Sequence, residues 1–216
     1  MEPVTGLILL LAVSWACGLN LYATVLTLGL LAANGLLALP PGLQFLSDPT
    51  VLSLAAFMYC LEFLADKTPG IDSGWDAVHT FVRIPAGAVL AMLIVSGAPL
   101  PLFAGLMALT LGGGMAALSH FTKAGARLVI NTSPEPVSNW LASLGEDVIV
   151  VLGLLAAVYH PLLFMVALML FVAFALWLLP HLWQAGRHIF TELGIWSARQ
   201  RGPSGVGPQP PRLPKP

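Results

Sequence analysis

The chain has 216 residues, of which 57% are hydrophobic and 9% charged, with a formal net charge of −1. A water-soluble domain carries about 25% charged residues, so this chain cannot cover a water-facing surface and lipid must be its main solvent. The near-neutral balance and the absence of a basic stripe exclude a nucleic-acid partner.

Taken in chain order, the first segment is apolar, and Glu2 stands where a signal peptide needs a basic start. It is therefore read as a retained span. A span needs about 20 apolar residues. Six stretches qualify: 4–33, 48–66, 77–97, 101–121, 139–160 and 161–180. The expected fold is an all-α polytopic bundle over 1–180. Segment 4–33 would reach about 45 Å as one helix, more than the ~30 Å hydrocarbon core. The expectation is one tilted helix or one interrupted near Gly18-Leu19-Asn20, rather than a hairpin of two full passes. At His160-Pro161 two spans meet with almost no loop, which suits proline because it fits a first helical turn. Residues 181–200 have apolar positions at helical spacing and read as an amphipathic interfacial helix. The Pro/Gly-rich basic stretch 201–216 reads as disordered. Cys17 and Cys60 lie in apolar runs and are expected to be buried thiols, not a disulfide framework.

With six passes, loops 67–76 and 122–138 share one side with both termini. That side holds all nine basic residues. Lys/Arg excess marks the cytoplasmic face, so both termini are expected in the cytoplasm, with the chain in the inner membrane. Six spans divide as three plus three, the arithmetic of an inverted repeat.

The polar residues gather at the same end. Glu62 and Asp66 stand four apart, as do His79 and Arg83, and Lys123 and Arg127, so each pair shares a helix face. Glu146 and Asp147 fall about 10 Å inside their span by helical rise. Ionised groups at such depth are costly unless they find partners or water. These faces are expected to converge on a polar pocket open to the cytoplasm. The candidate ligand- or ion-binding residues are Glu62, Asp66, Lys67, Asp72, Asp76, Arg83, Lys123, Arg127, Asn131, Glu146 and Asp147. Carboxylates outnumber the nearby bases, and such a surplus suits a cation or a shuttled proton. The structural alternative is a set of ion pairs that locks helix ends together. No nucleophile elbow, P-loop, zinc-spaced Cys/His set or dinucleotide fingerprint occurs. Catalytic residues stay unassigned and no cofactor is predicted, a divalent cation being one candidate occupant.

The pattern Glu62-x-x-x-Asp66-Lys67-x-Pro69-Gly70-x-Asp72, Trp75-Asp76, Arg83-x-Pro85, Lys123-x-x-x-Arg127-x-x-x-Asn131-x-Ser133-Pro134-Glu135-Pro136 and Asn139…Glu146-Asp147 resembles a bacterial integral-membrane family known as domain of unknown function 4126. The likeness covers roughly residues 10–175 and implies a membrane location, without an activity. Three expectations follow. The first is a transporter or channel-like protein for a small solute or ion. The second is a membrane enzyme acting on a lipid headgroup, with the bases holding phosphate. The third is a scaffold.

Overall fold

The computed structural model describes residues 3–68, 70–96, 102–131 and 136–200, with backbone alone at 3, 136 and 185–200. Glu135 and the tail expected over 201–216 lie outside the described residues. The order is α1 (Pro3–Leu19), α2 (Leu21–Ala33), a 3-10 helix (Pro41–Ser47), α3 (Pro49–Ala65), α4 (Ile71–Val95), α5 (Leu102–Ile130), α6 (Pro136–Tyr159) and α7 (Pro161–Gln200). Ile71–Val95, Leu102–Ile130, Val137–Tyr159 and Pro161–Gln184 are long and apolar enough to cross a membrane. The 3-10 helix and α3, bent by 67°, supply a fifth crossing if taken as one span. Among the described residues, four to five candidate crossings thus stand where six were expected, because α1 and α2 are individually short.

The outside is apolar and the inside partly polar. Phe81, Phe103 and Leu162 are 83%, 71% and 80% exposed, whereas Arg83, Arg127 and Glu62 are fully buried. That inversion is what lipid as solvent requires.

The first segment corrects the reading of one interrupted pass. Lys123, near the C-terminal end of α5, donates to the Leu19 carbonyl (3.1 Å), at the end of α1. Ser14 donates to the Gly87 carbonyl (3.3 Å), midway along α4. Leu7 and Leu10 line one groove with Val95 and Phe103, where α4 ends and α5 begins. So α1 runs parallel to α5, starting at the end opposite the charged residues. It then folds back. Tyr22 at the start of α2 meets His79. Further along, a Cβ on Gly29 would strike the Leu46 carbonyl of the 3-10 helix. At the far end, Tyr159 reaches the Leu36 carbonyl (3.3 Å). The pair is a hairpin turned at Asn20, and the described start of the chain lies at the end opposite the bases, not beside them. Two short helices absorb the excess length that one tilted helix would have to carry.

This hairpin places α1 at the centre. Residues 8–21 are buried without interruption. Trp15 sits edge-on to Phe164 and Phe171 of α7, both at 5.9 Å. The neighbours come close because small residues face one another. A Cβ on Gly18 would collide with the Ala116 carbonyl and Ser119 Oγ, and one on Gly112 with the Ala91 side chain. Such contacts are how helices associate where lipid removes the hydrophobic drive. Cys17 is buried as expected, but Cys60 is exposed, since an apolar run in a membrane protein does not say which face meets lipid. α7 continues through Pro180 as one helix to Gln200.

Candidate functional site

The charged residues expected on loops stand instead on helices that reach further toward the charged end. Asp72 and Asp76 lie in the first turns of α4, and Lys123 and Arg127 in the last turns of α5. Ion pairing makes such residues compatible with a buried helix, so polarity there did not mark a loop.

Arg83 bridges two acids, with Nη2 at 2.9 Å from Glu62 Oε1 and Nη1 at 2.9 Å from Asp76 Oδ1. Lys123 Nζ lies 2.9 Å from Asp66 and 3.2 Å from Glu146. Glu62 and Asp76 stand further off, at 3.9 and 4.0 Å. Arg127 donates through Nη2 (2.8 Å) and Nε (3.2 Å) to the two oxygens of Glu146, the bidentate geometry that suits guanidinium to carboxylate. It also donates through Nη1 to the Asp66 carbonyl at 2.8 Å. Asp72, 3.9 Å from Arg127, accepts from Asn131 Nδ2 with both oxygens at 2.8 Å. Asn139 in turn donates to Asn131 Oδ1 at 2.7 Å. One network thus unites nine of the candidates: Glu62, Asp66, Asp72, Asp76, Arg83, Lys123, Arg127, Asn131 and Glu146.

Two candidates stand apart. Lys67 places its ammonium over the Phe63 ring, 2.9 Å from the centroid, and is half-buried. Asp147 accepts from Asn20 Nδ2 at 3.0 Å and from the Tyr59 hydroxyl at 2.9 Å. Both of these partners are neutral. Asn20 also caps α2, accepting from the Ala23 amide at 2.8 Å, so Asp147 lies beside the positive end of that helix. Neither Tyr59 nor Asn20 was assigned to the site from sequence. Asn20 stood out only as a break signal in an apolar run, and its burial was the missing clue.

Two histidines border the network. His79 donates from Nδ1 to the Trp75 carbonyl (3.0 Å), and its Nε2 shares a hydrogen bond with the Tyr22 hydroxyl (3.1 Å). His120 Nδ1 faces Arg83 Nη1, a donor, at 3.4 Å. Its Nε2 therefore carries the proton and donates to Thr80 Oγ1 at 2.8 Å.

The arrangement is closed. Side-chain exposure is 0–3% for all the ion-paired groups except Glu146, at 16%. Convergence holds as expected, whereas these side chains pack against one another instead of lining an open pocket. Among the described residues no group of three His, Cys, Asp or Glu is placed to hold a metal ion. Three buried carboxylate oxygens, Glu62 Oε2, Asp66 Oδ1 and Asp76 Oδ2, have no hydrogen-bond donor among the described residues. At Asp66, just past the end of α3, burial pushes the carboxyl up. Lys123 and Arg127 outweigh that and hold it below the usual carboxylate range.

Residues 7–181 match the family described as a domain of unknown function (DUF4126). No curated protein and no solved structure matches the chain.

Proposed function

Because the chain belongs to the DUF4126 family, whose description assigns no activity, function has to be read from the site, and we propose a transporter or channel-like protein for an ion or small solute, using the buried network to hold protons or a cation. One observation carries this reading. Five carboxylates (Glu62, Asp66, Asp72, Asp76 and Glu146) surround three cations (Arg83, Lys123 and Arg127), and three of the buried carboxylate oxygens have no hydrogen-bond donor among the described residues. Unbalanced charge in a low-dielectric interior is neutralised by a proton or a counter-ion. A network that takes up and gives back such a charge has the chemistry of a relay.

The expected headgroup enzyme fits less well. Its phosphate would need free bases, and Arg83, Lys123 and Arg127 are all engaged by carboxylates. The scaffold reading draws support from the same dense pairing, and it leaves the surplus acid unexplained. In the proposed setting the bundle lies in the inner membrane with the charged end cytoplasmic and the start of α1 on the other side. An inverted repeat has no part in this reading, since the hairpin adds an element to the first half.

The test is proton and alkali-cation flux in proteoliposomes, followed with a pH-sensitive dye, for wild type and Glu62→Gln. The glutamine keeps the side chain's shape and removes its charge. Flux in wild type that Glu62→Gln abolishes, with an unchanged size-exclusion profile, supports the reading. Background flux in both overturns it.

A further inference from the structure

Asp147 differs from every other acid of the site in what surrounds it. Eleven residues into α6 from Pro136, it lies about 16 Å along the helix, near its middle. It lines a groove of about 400 Å³ together with Tyr59, Leu144, Val148, Val151 and Leu152. The four aliphatic walls are 37–58% exposed, so the groove opens sideways, on the surface that lipid would cover. The carboxylate accepts hydrogen bonds from the neutral donors Asn20 and Tyr59, and no ion pair to Asp147 exists among the described residues, Lys67 and Lys123 acting on it only from beyond contact. Each carboxylate oxygen has two acceptor positions, so one on each oxygen is left over.

An anion facing an apolar groove on a lipid-covered surface is a costly arrangement without a counter-charge. Ligand sites are commonly apolar pockets of about 300–1,000 Å³ with a few convergent polar groups. The Leu and Val walls suit a hydrocarbon body, and the carboxylate suits a positive charge. We propose that the groove between α3 and α6 binds a lipophilic monocation, an amine or onium ion with an apolar body, which enters from the bilayer and sets its charge against Asp147. The inference names a ligand class for the transport reading and rests on that reading for its physiological sense, but it is tested by binding alone.

The experiment is equilibrium binding of radiolabelled tetraphenylphosphonium to the full-length protein in detergent. Four proteins are compared: wild type, Asp147→Asn, Leu152→Trp and Leu111→Trp. Asp147→Asn keeps the shape and removes the charge. Leu152→Trp fills the groove from an exposed position and leaves the carboxylate in place, so it reports even if the first variant fails to fold. Leu111→Trp alters the separate apolar groove beside α1. Saturable binding to wild type is expected, weakened about tenfold or more by each of the first two variants, equivalent to at least ~1.4 kcal/mol, and unchanged by the third. No saturable binding to wild type overturns the proposal, as does wild-type affinity in Asp147→Asn or in Leu152→Trp. Glu62-dependent flux without phosphonium binding removes this inference and leaves the transport reading. Binding without flux does the reverse.

Discussion

Two helical hairpins in this bundle turn on a single residue, with the same backbone pattern and opposite surroundings. At the charged end, the Asn20 amide donates to the Ala16 carbonyl and the Asn20 carbonyl accepts from Thr24. At the other end, His160 does the same with Ala156 and Phe164. His160 is exposed and followed by Pro161, which begins the next helix. Asn20 is 2% exposed, and its side chain divides between the cap of α2 and the Asp147 carboxylate. A surface turn needs only a chain that can bend. A buried turn must also supply every donor and acceptor that water would have supplied, and the one polar residue able to do so becomes part of the site.

This contrast between the two ends can be broken in a graded way. The largest effect belongs to the network beside the buried turn. Arg83→Met leaves Glu62 and Asp76 with only the more distant Lys123 and should cost about 3–5 kcal/mol, read as a fall in thermal midpoint in detergent. The double variant with Glu62→Gln should recover part of that loss if the stranded charge, not lost packing, is the cause. Next comes the turn itself. Asn20→Ala removes a cap and a donor to a carboxylate, and should cost about 1–3 kcal/mol, whereas His160→Ala should stay within about 0.5 kcal/mol. Equal losses at the two turns would end the comparison. The glycine run of α5 offers the same contrast within one helix. Gly112→Val forces a side chain against Ala91 and should cost about 1–3 kcal/mol, while Gly114→Ala meets nothing within 4 Å and should cost nothing measurable. The smallest effect is in pH. Asp66 is held below its unfolded value, so its contribution is complete above the unfolded carboxylate range, about pH 4, and is lost as pH falls through the lower, folded value. The acid limb of a melting series should therefore be shallower in Asp66→Asn than in wild type.

How much of this was legible follows from what each signal measures. The convergence of Glu62, Arg83, Lys123 and Glu146 was readable because four-residue spacing and depth in an apolar run fix a face and force a partner. The four long apolar helices were readable from length and composition alone. The hairpin was not. Gly18-Leu19-Asn20 marks a break, but a break in an apolar run carries no direction, and a length rule built on full passes does not see α1 and α2, each less than one. The helical starts at Asp72 and Asp76 were read as loop because charge signals water, and pairing across helices is invisible from one segment. Closure of the network was equally out of reach, since spacing brings side chains together without saying whether space is left between them. Tyr59 escaped because its partner, Asp147, is 88 residues away.

The hairpin sets a problem of order. α1 is synthesised before the helices that bury it, and among the described residues Trp15 has no aromatic ring neighbour until Phe164 and Phe171 exist. The innermost element is thus the earliest made and the last to be enclosed. Until α7 emerges, the short first helix and its asparagine have to wait in the bilayer half-clothed, and any chain stopped before Phe164 would leave the centre of the bundle with no wall on one side.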